Sequence, residues 1–388
     1  MSYNFDKIIP RRNTDSCKFD GYAKRGKPAD ALPLWVADTD FAAPDYILDA
    51  LRERLDHGVF GYAEPQASYF DALKTWFTDG FGYKFDNDWV SVVPGVVYGF
   101  ASAIRAATAP GDSIIIQQPL YAPIKEAIVV NGRRAVISEL VNNNGHYDIN
   151  FADFENQIIK YAVRAFILCN PHNPVGRVFE RDELLQMVEI CRRHDVIIIS
   201  DEIHCDLIFG GRQHHVLPAI APDYAHRMIL CTSPSKTFNL AGLQNANIFT
   251  SDPHLRARLN RDIYKSGYSQ CTIMGLIAAR AAYTGGREWV DAMVGYIWKN
   301  FEFMEKFLGE HLPKVRLTPI QGTYLAWLDF RQYGHDPAEL NRRITDDARL
   351  WLSSGESFGA VGAGFQRINM GCPQSTLQEC LTRLAKVI

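Results

Sequence analysis

The sequence predicts an α/β protein whose larger part is a mostly parallel sheet covered by helices on both faces, joined to a smaller α+β domain. Three observations predict it. Short, continuous apolar runs rich in β-branched residues recur through the middle of the chain. Amphipathic stretches at helical spacing lie between them. From about Arg287 the pattern changes to one long amphipathic stretch followed by short strand candidates.

The runs at 113–117, 165–169, 196–200, 228–232 and 246–250 have the unbroken apolar character of strands buried on both faces. Residues 180–190 form the clearest helix between them. Strand, helix, strand in this order calls for a mostly parallel sheet with right-handed crossovers. Further on, Trp289, Val290, Met293, Ile297, Phe301, Met304 and Phe307 recur at helical spacing. That helix should end before Pro313, because proline disfavours helix in the residue before it. Residues 323–328 and 365–370 read as strands, and 375–381 as a helix. The change of pattern places a domain boundary near 285.

At 388 residues the chain can bury a large core. The net charge of −3 comes with no basic block. That argues against a nucleic-acid partner and against a polybasic membrane contact. No segment approaches the roughly 20 apolar residues of a membrane span, and residues 1–7 carry no apolar signal core. The eight cysteines form no Cys-x-x-Cys pair. They read as reduced, mostly buried small hydrophobes in a cytoplasmic protein, and no metal site is expected from them.

Several polar residues directly follow the buried runs, where open α/β sheets bind ligands. Lys236 sits in Ser233-Pro234-Ser235-Lys236-Thr237. A lysine that loses its proton can form a Schiff base with an aldehyde, and hydroxyls such as Ser233 and Ser235 can bind phosphate. Taken alone, a solvated lysine in a polar loop fits equally well. Asp201 follows the run at 196–200. It suits a ring-nitrogen partner, since pyridoxal 5'-phosphate needs a carboxylate to keep its pyridine protonated as an electron sink. An N-cap aspartate is the plain alternative. His204 is close enough in sequence to orient that carboxylate, although a structural histidine fits better in isolation.

Asn173, in Asn170-Pro171-His172-Asn173-Pro174, can donate to the cofactor's phenolic oxygen or simply form a turn. Gly95 opens an apolar helical run through Val96 and Val97. Free N–H groups there would bind phosphate, but a lone glycine turn is weak evidence and matches no full nucleotide motif. Tyr121 can stack on a planar ring or lie on a rim. Arg367 can grip a substrate carboxylate with a forked pair of bonds or form a surface ion pair.

The order of these residues is what is specific. Together with Leu34-Trp35-Val36-Ala37-Asp38-Thr39-Asp40-Phe41, Phe60-Gly61-Tyr62, Ser200-Asp201-Glu202-Ile203-His204-Cys205-Asp206, Ser235-Lys236-Thr237-Phe238-Asn239-Leu240-Ala241-Gly242-Leu243-Gln244 and Arg367-Ile368-Asn369-Met370-Gly371-Cys372-Pro373, the chain resembles the fold-type I, class I/II aminotransferase family over nearly its whole length. Within it the chain is most similar to the MalY/PatB-type cystathionine β-lyases, the cysteine C–S lyases that include cystalysin. The resemblance implies a homodimer with pyridoxal 5'-phosphate on Lys236. Asp201 would face the pyridinium, Asn173 the phenolic oxygen, and Tyr121 the ring. Gly95, Val96, Val97, Ser233 and Ser235 would hold the phosphate, with Tyr62 reaching it from a neighbouring subunit. Arg367 would bind the substrate carboxylate, under a loop at Val36 and Ala37. The implied division is an arm of residues 1–45 shared with the small domain, a large domain of 46–285 and a small domain of 286–388.

The implied reaction is α,β-elimination on L-cystathionine or a related cysteine S-conjugate. An aminotransferase on the same scaffold uses the same lysine and aspartate, and a regulatory protein that keeps the site is a third reading. Three departures from the family pattern, Thr39, Ala122 and Ile124, are expected to touch the substrate pocket.

Overall fold

The structure is a computed structural model and describes residues 3–388, so residues 1 and 2 of the N-terminal arm lie outside it. Seven strands make the main sheet: β1 (Val90–Val93), β2 (Ser113–Gln118), β3 (Arg134–Glu139), β4 (Ala165–Cys169), β5 (Ile197–Asp201), β6 (Met228–Thr232) and β7 (Ala246–Phe249). Their order across the sheet is β1–β7–β6–β5–β4–β2–β3. The strands from β3 to β6 in that order pair in parallel, whereas β7 is antiparallel to both its neighbours.

Successive residues of a strand point to opposite faces, and the packing follows that alternation. Ile114, Ile116, Ile167, Ile197 and Ile199 join one core. It includes Phe100 and Ile104 from helix Val96–Ala107, Ile124 and Ile128 from Ala122–Val130, and Leu255 and Leu259 from Pro253–Lys265. Ile115, Phe166, Leu168 and Ile198 join another, with Phe154 and Ile158 from helix Phe151–Lys160. Leu184, Met187 and Val188 of Arg181–Arg193 complete that second face. The sheet is therefore covered on both faces, which is why its strands read as unbroken apolar runs.

The edge strands escaped the sequence reading for the same reason. Arg134–Glu139 has exposed charged ends and alternating burial, and Val90–Val93 is mostly half-buried. Charged ends at a sheet edge also discourage pairing with other chains.

A second, antiparallel sheet holds β8 (Arg316–Leu317), β9 (Leu325–Asp329), β10 (Ser353–Ser354) and β11 (Phe365–Asn369), in the order β8–β9–β11–β10. The N-terminal segment joins this half through Leu32–Pro33, which pairs in parallel with Leu350–Trp351. The helix predicted from Trp289 to Phe307 runs over Arg287–His311 and stops short of Pro313. It begins after Gly286, where an added Cβ would meet the Phe238 ring at 2.3 Å.

The loop 355–362 folds back so closely that a Cβ on Gly355 would sit 2.0 Å from the Gly362 carbonyl oxygen. This approach lets Phe358 pack edge-on against Trp327 at 5.4 Å. Gly355→Ala should therefore lower the urea midpoint, with a cost of about 1–3 kcal/mol, the scale of overpacking. Gly309 lies exposed in the long helix with nothing near its would-be Cβ. Gly309→Ala should raise the midpoint, with a gain in stability of about 0.5–1 kcal/mol, because glycine costs a helix backbone entropy. Equal midpoints for the two variants would remove this reading of the 355–362 loop.

Candidate active site

Three neighbouring strands end in register. Cys169 pairs with Asp201, and Asp201 with Cys231. The segments that follow, with Asn173, Asp201 and Lys236, emerge at one edge around a cavity of about 180 Å3. Helix Val96–Ala107 starts at the same edge after Gly95, and no side chain caps its first turn. The Val96 and Val97 N–H groups therefore have no helical acceptor.

Asp201 is buried at the end of β5. Its carboxylate accepts one bond, from the Ile203 N–H at 3.3 Å. It has no cationic side chain in ion-pair contact among the described residues. Burial pushes its pKa up to about 7, against the pull of that N–H and of the Lys236 charge. Neighbouring Glu202 is the opposite case. It is fully buried but accepts from Ser200 at 2.7 Å and the Leu217 N–H at 3.1 Å, and pairs with His214 at 2.7 Å. Asp201 is the acid left short of a partner.

Lys236 lies in the short helix Pro234–Thr237. Its amine donates to the Ala37 carbonyl at 2.6 Å. Burial lowers its pKa to about 8, helped by the charge of Arg367 and opposed by Asp38 and Asp201.

Arg367 comes from the middle of β11, between Trp327 and Ser353 on the flanking strands. It is buried, and no carboxylate pairs with it among the described residues. Its Nη1 donates to Asn173 Oδ1 at 3.0 Å, and its Nη2 to the Trp35 carbonyl at 2.5 Å and to Ser353 at 3.2 Å. Nε is buried without a partner among the described residues. Burial lowers its pKa to about 10, and the guanidinium stays charged. A buried, unpaired cation is costly, and a ligand carboxylate would offset that cost.

Ala37, Gly95, Val96, Val97, Tyr121, Asn173, Asp201, His204, Ser233, Ser235 and Lys236 all line the cavity. Arg367 stands behind Asn173 through their shared bond, and the Val36 carbonyl is held by Asn369 at 2.6 Å. Tyr62 does not reach this cavity within its own chain. It is 93% exposed and lines a separate surface cleft with Arg54 and Arg280.

Four expectations need correction. His204 makes no hydrogen bond to Asp201. Its Nδ1 has no partner among the described residues, and its ring packs edge-on against Tyr324 at 5.8 Å. The Ser233 hydroxyl is engaged as a helix cap, donating to the Asn245 carbonyl at 2.6 Å and accepting from the Ser235 N–H at 3.0 Å. Ser235 Oγ is the hydroxyl left without a partner among the described residues. Thr39 and Ile124 do not line the cavity. Both are fully buried, Thr39 against Gly371 and Ile124 in the core. Ala122 lines an adjoining surface groove with Gln118 and Phe358.

Other participants were not anticipated. Tyr324 donates to the Ala37 carbonyl at 2.9 Å, beside Lys236. Asn369 holds the carbonyls of Val36 and Asp38, and Asn239 those of Thr39 and Phe41. Arg11 and the buried Lys18 pair with Asp38 and Asp40. Asn239 and Asn369 stand inside the quoted motifs, so a signal for them existed. Asn245 also lines the cavity.

The fold and the site together define a fold-type I enzyme that uses pyridoxal 5'-phosphate. The residues fit that group: a carboxylate short of a cation, unpaired helix N–H groups with a free hydroxyl beside them, and an enclosed amine. The chain belongs to the class I and II aminotransferase family, whose model matches residues 30–384. It is 40% identical to cystathionine β-lyase PatB of Bacillus subtilis over 98% of each chain. A pyridoxal-phosphate-bound putative aminotransferase from Clostridium difficile superposes with a TM-score of 0.97 at 37% identity, covering 100% of both chains. Cystalysin from Treponema denticola, whose structure contains the same cofactor, gives 0.96 at 35% identity, covering 100% of this chain and 99% of its own.

Only a neutral amine attacks an aldehyde, so capture of the cofactor should follow the titration of Lys236. For apoprotein mixed with pyridoxal phosphate, the rate of visible absorbance growth should rise with pH to a midpoint near 8, not near the ordinary 10.5. Borohydride should then fix the label on Lys236. A midpoint near 10.5 would mean that the site does not tune this amine.

Proposed function

We infer that this protein is a pyridoxal-phosphate-dependent C–S β-lyase. It eliminates a thiol from L-cystathionine or a related cysteine S-conjugate, and pyruvate and ammonia follow. The observation that carries this reading is end-to-end similarity to a cystathionine β-lyase in a chain that keeps a lysine and an aspartate at one cavity and an arginine without an ion pair among the described residues behind its Asn173 wall.

Bound cofactor supplies an electron sink for the charge that develops at the substrate Cα. Asp201 holds the proton on the ring nitrogen. Its raised pKa falls back once that cation is beside it, since an opposite charge favours the ionised form. Asn173 gives Oδ1 to Arg367, so its NH2 is the end available to the phenolic oxygen. Arg367 fixes the substrate carboxylate. Lys236 Nζ, with a pKa near working pH, takes the Cα proton. The Ala37 carbonyl gives the free amine a fixed resting point, and Tyr324 holds that carbonyl from the other side. The thiol departs from Cβ, and water completes the release of pyruvate and ammonia.

The large domain of residues 46–285 would hold the cofactor. The 1–45 arm and the 286–388 domain would bring Val36, Ala37 and Arg367 over it. We place the protein in the cytoplasm. All eight cysteines are free, and no helix among the described residues is long and apolar enough to cross a membrane. A second reading, an aminotransferase, has one observation in its favour, the description of the Clostridium difficile relative. Product identity separates the two. Pyruvate and free homocysteine from cystathionine without any keto acid support the lyase, and strict dependence on a keto acid overturns it. Arg367→Ala should lower kcat/KM at least about 30-fold, the low end of the ~2–5 kcal/mol lost with one partner of a buried charge pair. Arg367→Lys keeps the charge but loses the fork and should remain badly impaired.

The functional unit is a homodimer in this reading, with Tyr62 crossing to a partner's phosphate. Its support is exposure: Val59, Phe60 and Tyr62 form an uncovered apolar run. Mixing Lys236→Ala with Tyr62→Phe subunits should restore activity above either parent. Each heterodimer would carry one site with both lesions and one with neither. No recovery in subunits shown to exchange would place Tyr62 outside the partner's site.

A further inference from the structure

We propose that Asn245 is a ligand of the cofactor's phosphate, kept in its donating orientation by Tyr69. The proposal rests on pyridoxal phosphate as the cofactor and is independent of which reaction follows.

Lys236 is the one cation among the side chains lining the cavity, and its nitrogen is committed to the cofactor's aldehyde. A phosphate near Gly95 must therefore be met by neutral donors of its own chain. The Val96 and Val97 N–H groups and Ser235 supply some, while the Ser233 hydroxyl is already engaged. Asn245 lines the same cavity and is only 6% exposed. Its carbonyl accepts from that Ser233 hydroxyl at 2.6 Å, which fixes its backbone beside the Lys236 loop. Its Nδ2 has no partner among the described residues.

Asn245 Oδ1 lies 3.0 Å from the Tyr69 hydroxyl. That hydroxyl is also 2.6 Å from the Asn247 amide, whose other end is 3.3 Å from the Tyr283 hydroxyl. Burial raises both phenol pKa values, so each phenol keeps its single proton. The chain can run in either sense, because an amide can turn end for end. In one sense Tyr283 donates to Asn247, Asn247 to Tyr69, and Tyr69 to Asn245, which leaves the Asn245 NH2 for the cavity. In the other sense an amide oxygen faces the cavity. A phosphate dianion selects the first.

The position follows from the topology. β7 runs against its neighbours, so the residue just before it lies at the edge where the parallel strands end. Asn245 precedes its strand, whereas Asn173, Asp201 and Lys236 stand at or after the ends of theirs.

The test is titration of apoprotein with pyridoxal phosphate and, separately, with pyridoxal, which lacks the phosphate. Asn245→Ala should weaken pyridoxal phosphate about 10- to 100-fold, the range for a hydrogen bond to a charged group, and leave pyridoxal within about twofold. Asn245→Asp, isosteric but anionic, should be worse for pyridoxal phosphate alone. Tyr69→Phe should cost less by itself and nothing further in the Asn245→Ala background, since it acts through that amide. The proposal is overturned if Asn245→Ala leaves the ratio of the two affinities unchanged, whether both fall or neither does. It is also overturned if Tyr69→Phe adds its full effect in the double variant. The lyase reading is decided separately by the products from cystathionine.

Discussion

The site depends on three parallel strands ending at one level. Parallel strands joined by crossovers all run the same way, so their C-terminal ends share one edge. The register Cys169–Asp201–Cys231 aligns those ends to the residue. Asn173, Asp201 and Lys236 are far apart in sequence, yet each needs only to leave its strand to reach the others. The two strands that break the parallel run serve the same edge. β1 ends there with Pro94 and Gly95, and β7 begins there with Asn245.

Onto this edge the fold places three ionisable groups whose burial favours their neutral forms. Asp201 is raised to about 7, Lys236 lowered to about 8 and Arg367 to about 10. None has an offsetting ion pair among the described residues. Glu202 shows that the same surroundings can satisfy an acid fully, since it has a histidine, a hydroxyl and a backbone N–H. The three unsatisfied groups are those a pyridinium, an aldehyde and an amino-acid carboxylate would complete. Their strain is a cost of folding that ligand binding returns.

Legibility in the sequence followed the same physics. Strands buried on both faces announce themselves by composition, and the residue leaving such a strand can be placed without knowing anything else. That is why Lys236, Asp201 and Asn173 could be read. Direction within a turn or helix cannot be read this way. His204 is three residues past Asp201, but its ring turns to Tyr324. Ile124 follows Tyr121 by three, yet it faces the core while Tyr121 lines the cavity. Partners brought together only by folding gave no local signal. Lys236 and the Ala37 carbonyl are 199 residues apart, and Arg367 and Trp35 are 332 apart.

Those long-range bonds meet on a single strap. Between residues 35 and 39 every backbone carbonyl is held by a side chain: Trp35 by Arg367 and Ser353, Val36 and Asp38 by Asn369, Ala37 by Lys236 and Tyr324, and Thr39 by Asn239 and Arg11. Lys236 and Asn239 come from the loop after β6, whereas Ser353, Arg367 and Asn369 come from the antiparallel sheet. The strap is therefore a shared boundary between the half that suits the cofactor and the half that suits the substrate. Lys236 and Arg367 grip it two residues apart. Arg367 Nε has no partner among the described residues, so in the proposed reading a carboxylate would find one unused donor there and gain its second by sharing Nη2 with the Trp35 carbonyl. In the proposed reaction Lys236 would leave the Ala37 carbonyl on binding an aldehyde and regain it on release. The Tyr324 bond would keep that carbonyl in place between the two states. Cofactor chemistry is thus fixed by strand ends and main-chain N–H groups, which tolerate change nearby. The leaving group of the proposed reaction has no comparable main-chain frame among the described residues, and Ala122 lines the adjoining groove rather than the cavity. The cofactor is accordingly the more firmly written of the two in this sequence.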